Sequence, residues 1–323
     1  MRAIATLIFS TLLWGVGGFA ESQISPKGFD KSPIQYPDSC ISYRFEIVPL
    51  PYSELPHTGS LKIARDTGFT RDYDGVSMVE RDGLLYYHPV DLLNRTLAYL
   101  DAFRSAGDSV DLEKARRFLR RLFVESNEID GALFYPYRFD YRVNQQEEGL
   151  LKAPWYSGMA QGLALSALTR MFEITGDSLY FDYCRRTFRS LLRKKGKDMP
   201  WVTFRDDTGC LWIDEYPLTP SSRTLNGFIF AIFGLYDYYQ LTADSAARQM
   251  LQESLSAVKN YLPLFRRPGR PSFYGLRFGH YAANYHSLHI RQLQYLHKMT
   301  GDSFFRVWAD SLYHDYNETK QKE

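Results

Sequence analysis

The chain has 323 residues, 24% of them charged, and a formal net charge of +2 at neutral pH. This length is enough for one large domain or two modest ones with a sizeable core. The small net charge predicts no strongly basic surface, which argues against nucleic acid as a partner. Aromatic residues are abundant, with 24 Tyr, 22 Phe and 5 Trp, and both sugar-binding clefts and large helical cores use such side chains.

The N-terminal segment has the features of a targeting signal. Arg2 precedes an uncharged run over residues 3–20, and residues 18–20 (Gly-Phe-Ala) fit the small-x-small pattern of a cleavage site. Residues 1–20 are therefore predicted to be a signal peptide. An uncleaved membrane anchor is the alternative, because the run is at the lower limit of a spanning length. Both interpretations predict an exported protein: secreted, periplasmic or in the secretory pathway.

Residues 21–80 are predicted to form an extended arm with short strands. The first part of this segment is rich in Pro and Ser and lacks helical periodicity, and residues 43–48 (Tyr-Arg-Phe-Glu-Ile-Val) have the composition of a short strand. Several prolines then interrupt any regular element. The three cysteines, Cys40, Cys184 and Cys210, match no zinc or redox spacing. Export permits one disulfide with one thiol left over, and buried free cysteines are the other interpretation.

Residues 81–323 are predicted to form a helical domain built from a repeat. Four similar tetrapeptides, such as Thr-Gly-Asp-Ser at 175–178, lie between stretches of helical periodicity, at residues 106–109, 175–178, 242–245 and 300–303. Gly just past a helix can adopt the left-handed cap conformation, and the following Asp or Ser can cap the next helix. Each interval holds two helices and a long connection, which is typical of stacked helical hairpins. The predicted fold is all-α, a closed or nearly closed (α/α) toroid, or barrel, with a short N-terminal β or extended arm.

Four polar and aromatic clusters lie in the connections, at residues 86–89, 153–162, 212–222 and 272–289. Their equivalent places in the repeat predict a shared cleft. Acidic and phenolic groups there accompany a cationic one: Glu215, Tyr216, Tyr274, Arg277 and Tyr285. A Tyr beside an Arg or His loses its proton more easily than an isolated Tyr, and an Arg fork pairs with a carboxylate. The combination suits proton abstraction next to a carboxylate, and two acid/base groups on opposite faces of the carbon would invert it.

Other interpretations of these residues stay open. A Tyr in a chain so rich in Tyr is more often part of the core than a catalyst. His286 and His289 are three residues apart and could bind a metal on one helix face, but no third ligand is evident nearby. No metal site is therefore predicted. The sequence also contains no phosphate-binding loop, nucleotide-binding glycine motif or nucleophile elbow.

The same residues resemble the C-terminal domain of the D-glucuronyl C5-epimerases, the heparan sulfate and heparosan enzymes. The resemblance extends from about Asp82 to Leu312 and rests on residues 155, 159–162, 214–217, 219–222, 225–228, 234–237, 262–264, 274, 276–277, 285–286, 289–290 and 292–293. It implies an (α/α) barrel that acts on a uronic-acid-containing polysaccharide and turns D-glucuronate into L-iduronate in the polymer. It implies no nucleotide cofactor, and no cofactor is predicted.

The resemblance also implies roles for individual residues. Glu215 and Tyr285 correspond to an opposed acid/base pair, and Tyr216 and Tyr274 to supporting or alternative proton carriers. Arg277 and Asn226 correspond to carboxylate and sugar contacts. Further substrate-binding candidates are Trp155, Tyr156, Gln161, Arg223, His286 and His289.

The sequence departs from the family at several positions. Asn284 stands before Tyr285 where the family has an acid, Gly275 also replaces an acid, and the β-domains of the animal enzymes are missing apart from the short arm. Two alternative functions therefore stay open. One is a polysaccharide lyase or uronate-processing hydrolase, and the other is a non-catalytic polysaccharide-binding protein. A homodimer is compatible with the resemblance, and the oligomeric state is open.

Overall fold

The computed structural model describes residues 27–59, 68–196 and 200–316. In these ranges the chain forms eight α-helices: α1 (Pro89–Ala106), α2 (Ser109–Glu125), α3 (Gly158–Thr175), α4 (Ser178–Leu192), α5 (Leu225–Thr242), α6 (Ser245–Phe265), α7 (Ala283–Thr300) and α8 (Ser303–Asp315). The predicted signal peptide or anchor lies outside the described residues. Of the helices just named, none combines the length and the apolar character that crossing a membrane requires.

Consecutive helices form four hairpins, and their turns confirm the predicted repeat. After α1, Gly107 takes the left-handed conformation with φ of 72°, and the Asp108 side chain accepts a hydrogen bond from the Val110 backbone N–H. The later turns use Asp177, Asp244 and Asp302 as equivalent caps. These short, capped turns connect the C-terminal ends of α1, α3, α5 and α7 to the next helix.

The odd-numbered helices are the inner helices of the fold. α3 and α5 bury every residue of their first three turns, whereas α2, α4, α6 and α8 each bury one face. The inner helices pack side by side in the order α1, α3, α5, α7. α3 and α5 approach closely, since a Cβ on Gly234 would lie 2.0 Å from the Gly162 backbone oxygen. The fold is therefore helix-rich and built of stacked helical hairpins, as predicted.

Short strands occur in the connections and were not predicted apart from those of the arm. They are β1 (Lys27–Phe29), β2 (Val79–Arg81), β3 (Leu84–Tyr86), β4 (Asn127–Ile129), β5 (Ala132–Phe134), β6 (Pro136–Tyr137), β7 (Tyr141–Arg142), β8 (Leu150–Leu151), β9 (Trp155–Tyr156), β10 (Thr203–Arg205), β11 (Leu211–Ile213), β12 (Phe273–Gly275) and β13 (His280–Ala282). Single 3₁₀ turns occur at Tyr52–Glu54, Val143–Gln145 and Glu147–Gly149. The strands pair antiparallel, mostly in twos, and one three-stranded sheet has the order β1-β13-β12.

The predicted strand over residues 43–48 is wrong. This stretch is extended, but its backbone bonds to helices instead of a neighbouring strand. The backbone N–H groups of Tyr43 and Phe45 donate to the side chains of Ser256 (3.0 Å) and Gln252 (2.8 Å) on α6. Polar side chains of α6 thus accept the hydrogen bonds that the arm backbone donates. The strand-like composition of residues 43–48 could not show this.

The cysteines resolve into one disulfide and one thiol. Cys40 in the arm is bonded to Cys210 in the β10–β11 hairpin, with a Cα–Cα distance of 5.1 Å. Cys184 is free and fully buried. The disulfide joins the arm to the connection that leads into α5, so the two segments are held together near the candidate site described next.

Candidate active site

The long connections meet at the N-terminal ends of the inner helices, where four predicted catalytic residues come together. Glu215 and Tyr216 follow β11 in the connection that leads to α5. Tyr274 lies on β12, and Tyr285 lies in the first turn of α7. Sequence-distant segments thus supply one cluster, as the prediction of a shared cleft required.

Hydrogen bonds join three members of this cluster in a row. The Tyr274 hydroxyl donates to Glu215 Oε1 at 3.2 Å, and the hydroxyls of Tyr274 and Tyr216 are 2.9 Å apart. The ring of Tyr285 packs against that of Tyr274 with a centroid distance of 4.3 Å. Glu215 and Tyr274 are buried, while Tyr216 and Tyr285 are partly exposed. Tyr216 and Tyr285 are thus partly open to solvent, whereas Glu215 and Tyr274 are covered by the protein.

A stack of aromatic rings forms the wall next to Tyr216. Tyr141 lies over Tyr216 with centroids 5.6 Å apart, and Trp155 lies 5.9 Å from Tyr141 and stacks at 3.9 Å on Tyr137. The predicted residue Trp155 is thus in the cluster. Tyr141 was missed, although the dense aromatic run at residues 134–141 was a signal for a fifth cluster in an equivalent connection.

The environment of Glu215 keeps its carboxyl group poised between two protonation states. Burial raises the pKa of Glu215 to about 7, and hydrogen bonds from Tyr216 and Tyr274 only partly oppose this. The neighbouring Asp214 is also buried, and burial raises its pKa to about 7 as well. A carboxyl group with such a pKa suits general acid–base chemistry at neutral pH.

Glu215 lies directly against the first turn of α5. A Cβ on Gly227 would be 2.1 Å from Glu215 Oε2, so only glycine leaves room for the carboxyl group there. Within the described residues, Oε2 of Glu215 and Oδ2 of Asp214 are buried without a hydrogen-bond partner. The Gly227 backbone N–H and the Ser221 and Ser222 hydroxyls lower the pKa values of Glu215 and Asp214 in part, but burial dominates at both carboxyl groups.

The tyrosines in the site are held protonated. Burial, reinforced by the nearby Glu215 carboxylate, raises the pKa values of Tyr216, Tyr274 and Tyr285 above the ordinary value for tyrosine. The expectation that a cation beside these tyrosines would help them to lose a proton is therefore wrong. At neutral pH these hydroxyls are proton donors, and Glu215 is the group that can accept a proton.

The two predicted arginines take different positions. The Arg277 guanidinium donates to the backbone oxygens of Pro220 (2.6 Å) and Glu148 (3.2 Å), so it connects two neighbouring loops beside the cluster. Arg223 lies 3.6 Å from Asp206 in an ion pair, and its guanidinium is 4.6 Å from the Tyr36 ring. Arg223 therefore points toward the arm and the β10–β11 hairpin.

The remaining candidates make contacts within the protein. Gln161 is fully buried and donates to the Leu133 backbone oxygen at 2.8 Å, and the Tyr156 hydroxyl accepts from Asn127. Asn226 is buried in the first turn of α5, and its backbone oxygen accepts from Gln292 at 2.8 Å. None of these contacts involves the hydrogen-bonded row of Glu215, Tyr274 and Tyr216.

The two predicted histidines are buried next to Ser272, which lies just before β12. The Ser272 backbone N–H donates to His286 Nδ1 at 2.8 Å, and the Ser272 hydroxyl lies 2.9 Å from His289 Nδ1. Burial lowers the pKa values of both histidines, that of His289 to about 3. Across the described ranges, no group of three or more His, Cys, Asp or Glu side chains has the geometry of a metal site.

The fold and the site together define a class: proteins of stacked helical hairpins with an acid–tyrosine cluster at one end of the inner helices. Within this class, the chain belongs to the family described as D-glucuronyl C5-epimerase C-terminus, whose model matches residues 130–313. The match includes Glu215, Tyr216, Tyr274 and Tyr285, and it confirms the resemblance drawn from the sequence motifs.

Two curated proteins are similar to parts of this chain, and one of them carries the name of the family. The D-glucuronyl C5-epimerase of Caenorhabditis elegans is 30% identical over 182 residues, which are 50% of this chain and 29% of that protein. An uncharacterized protein of Methanocaldococcus jannaschii is 25% identical over 220 residues, 61% of this chain and 69% of that protein. The chain thus spans under a third of the nematode enzyme and about two thirds of the archaeal protein.

Solved structures show the same fold at low sequence identity. The GH76A alpha-1,6-mannanase from Salegentibacter sp. HEL1_6 aligns with a TM-score of 0.52 at 13% identity, covering 79% of this chain and 68% of that chain. A sugar epimerase from a ruminal bacterium aligns with a TM-score of 0.51 at 13% identity, covering 78% and 66% of the two chains. These similarities concern the helical architecture alone.

Proposed function

We propose that the protein is a polysaccharide uronate C5-epimerase, which converts D-glucuronate to L-iduronate within a polymer. The observation that carries the proposal is the buried Glu215 carboxyl group, whose pKa lies near 7 and which accepts a hydrogen bond from Tyr274. The family assignment supports the same chemistry, because the C. elegans relative is named for this reaction. A neutral-pH base next to protonated tyrosines supplies both halves of an epimerisation.

The reaction would proceed in two balanced proton transfers. Ionised Glu215 takes the proton from C5, and the electron pair of the broken C–H bond moves into the substrate carboxylate, which becomes an enediolate. A tyrosine hydroxyl, Tyr285 in our assignment, then donates its proton to the opposite face of C5 and a new C–H bond forms. The net change is inversion at C5 without oxidation, reduction or bond cleavage elsewhere.

The hydrogen-bonded row would restore the starting protonation states. After the second transfer, Glu215 holds a proton and Tyr285 has lost one. Tyr274 is hydrogen-bonded to both residues: its hydroxyl donates to Glu215 at 3.2 Å, and a hydrogen bond with the Tyr274 hydroxyl acts on the pKa of Tyr285. A proton can return from Glu215 through Tyr274, so one site can complete repeated turnovers. Arg277, at the edge of the cluster, is proposed to contact the substrate carboxylate or a neighbouring sugar.

The proposal also covers the overall architecture and the cellular compartment. We propose that the four hairpins, together with the arm, form an (α/α) toroid with the cleft at the end that carries Glu215. Aromatic residues that line this end, such as Trp155 and Tyr141, suit the flat faces of sugar rings. The Cys40–Cys210 disulfide supports export, because disulfides persist in oxidising compartments.

The two-face assignment can be tested with Tyr285→Phe, which removes one hydroxyl from the site. The purified variant and the unchanged protein are incubated in heavy water with an N-acetylated glucuronate polymer, and deuterium and configuration at C5 are read by NMR. We expect Tyr285→Phe to lose inversion by about a hundredfold or more, while exchange with retained configuration through Glu215 continues. Tyr313→Phe, which removes an exposed hydroxyl on α8, serves as the matched control and should behave as the unchanged protein.

The same experiment separates the alternative functions. Inversion that persists in Tyr285→Phe would contradict the assigned role of this residue. Shortened chains with an ultraviolet-absorbing unsaturated end would indicate a lyase, in which the same C5 carbanion expels the C4 substituent. Binding of the polymer without exchange or cleavage would indicate a carbohydrate-binding protein.

A further inference from the structure

A cavity lies beside the Glu215–tyrosine cluster, between the arm and the β12–β13 hairpin. It has a volume of about 380 Å³, and its lining includes Lys31, Tyr36, Gln146, Glu148, Arg277 and Phe278. Glu215, Tyr216, Tyr274 and Tyr285 are not part of this lining. The volume is within the range of pockets that hold small ligands, so the cavity can accept a group distinct from the reacting sugar.

The arm forms one wall of this cavity and is firmly attached to the β12–β13 hairpin. β1 pairs with β13, and just beyond it the Asp30 backbone N–H donates to the Gly279 oxygen at 2.8 Å. The Asp30 side chain also forms an ion pair with Arg267. Gly279 has φ of 58°, and a Cβ there would collide with the Asp30 backbone oxygen. The wall is therefore a fixed part of the fold.

The opposite wall connects the cavity to the catalytic cluster through Arg277. Its guanidinium carries five N–H donors, and its two hydrogen bonds are to the Pro220 and Glu148 backbone oxygens. Pro220 belongs to the connection that carries Glu215, and Arg277 is three residues beyond Tyr274 along the chain. Arg277 thus lies between the reacting position and the cavity, with donors available to a ligand.

The charges and rings of the cavity match a sugar of an acidic chain. The side chain of Asp30 is already paired with Arg267, which leaves Lys31 and Arg277 against Glu148 and gives the lining a net positive charge. Lys31 is exposed and forms no ion pair with any described residue. Tyr36 offers an aromatic face, since its ring lies against the Arg223 guanidinium on one side, and the Gln146 amide can bind hydroxyl groups.

We propose that this cavity is a subsite for the sugar residue that flanks the reacting uronate in an acidic polysaccharide chain. The subsite rests on the proposed function for the identity of the chain. Lys31 attracts an anionic group of the flanking residue, Tyr36 packs on its ring, and Gln146 and Arg277 bind its oxygen atoms. Because the arm supplies Lys31 and Tyr36, a long chain gains contacts that a short fragment cannot make.

Direct binding tests this subsite independently of catalysis. Calorimetry measures Kd for an N-acetylated glucuronate polymer and for a trisaccharide cut from it, with the unchanged protein and with Lys31→Glu. We expect Lys31→Glu to raise Kd for the polymer about fivefold and to raise Kd for the trisaccharide less. Lys31→Gln should raise both Kd values by smaller factors, again more for the polymer than for the trisaccharide. Lys298→Glu removes a lysine at the opposite end of α7 and serves as the matched control, with polymer affinity unchanged.

Each outcome decides the proposal. Equal changes of Kd for polymer and trisaccharide, an unchanged polymer Kd in Lys31→Glu, or a polymer that fails to bind the unchanged protein would overturn the subsite. Length-dependent weakening in Lys31→Glu alone would support it. Absence of deuterium exchange in the unchanged protein would end the epimerase proposal, but a length-dependent loss of binding would still stand, so the two failures are distinguishable.

Discussion

The two ends of the inner helices differ in how they treat charge. At the C-terminal end, the turns are short, their Asp caps accept backbone hydrogen bonds, and the buried Asp237 is paired with Arg170 at 3.4 Å. At the N-terminal end, the connections are long, and the buried carboxyl groups of Asp214 and Glu215 form no ion pair within the described part of the chain. Burial raises the pKa of all three acids, but at the C-terminal, stable end Arg170 opposes the shift of Asp237, whereas at the N-terminal, reactive end Asp214 and Glu215 have no ion-pair partner among the described residues.

The largest expected effect comes from removing the acid at the reactive end. We expect Glu215→Gln to reduce C5 exchange about a thousandfold, because the amide cannot accept the proton. The unfolding temperature at pH 8 should stay the same or rise, since a buried ionised carboxylate is removed. Exchange assays and thermal unfolding on the same sample check both expectations. Residual exchange near the original rate would exclude Glu215 as the base.

The opposite result is expected at the stable end. Arg170 is almost completely buried, and besides its pairing with Asp237 it donates to the Pro56 backbone oxygen of the arm at 2.6 Å. Arg170→Met should lower the free energy of unfolding by about 3 kcal/mol or more, because Asp237 is left buried without its partner. Denaturant unfolding measures the loss, and the double variant with Asp237→Leu should recover part of it. If Arg170→Met reduced exchange without loss of stability, the division between the two ends would be wrong.

The pH dependence of stability should reveal the two buried acids at the N-terminal end. The folded pKa values of Asp214 and Glu215 are raised to about 7, so the stability that goes with their protonated forms is present at low pH and is lost as the pH rises through about 7. Asp72 and Asp206, whose pKa values are lowered, contribute in the opposite direction. The contribution of these two acids can be isolated by comparing the unchanged protein with the double variant Asp214→Asn, Glu215→Gln.

The double variant should gain stability relative to the unchanged protein between pH 5 and pH 8, by on the order of 3 kcal/mol at the upper end. Urea unfolding at several pH values measures this difference. A difference that does not depend on pH would mean that neither acid titrates in this range, which would contradict the raised pKa values.

The smallest expected effects come from two glycines of α5, which form a matched pair. A Cβ on Gly227 would meet the Glu215 side chain, whereas a Cβ on Gly234 would meet the Gly162 backbone of α3. We expect Gly227→Ala to reduce exchange about tenfold by displacing the carboxyl group. Gly234→Ala should instead destabilise the fold by about 1–3 kcal/mol through overpacking. Exchange rates and unfolding measurements on both variants check these expectations. Slower exchange in Gly234→Ala but not in Gly227→Ala would contradict the assignment of Glu215 as the base.

Local chemistry made the stable end predictable from the sequence. A turn such as that at Gly107 and Asp108 can be recognised in the sequence, because the residues that cap the two helices are only a few positions apart. The clustering of the candidate residues was predicted because Glu215, Tyr274 and Tyr285 belong to motifs of a known family. Tyr141 was missed, because only the β7–β8 hairpin brings it onto Tyr216.

Properties that depend on burial could not be predicted from the sequence. The expected easing of proton loss by a nearby cation was wrong for Tyr285, since the sequence does not show its burial, which raises its pKa. The strand expected at residues 43–48 was wrong for a related reason: its hydrogen-bond partners, including Gln252, are more than two hundred residues away on a helix. Tertiary contacts decide both cases.

The most direct test of the account is proton NMR of a glucuronate polymer incubated with the unchanged protein in heavy water. The account predicts deuterium at C5, residues of both D-gluco and L-ido configuration, and an unchanged chain length. Protonated C5 positions after prolonged incubation with a polymer that binds, or chains that are cleaved at C4, would contradict the proposal that Glu215 and its tyrosines carry out epimerisation.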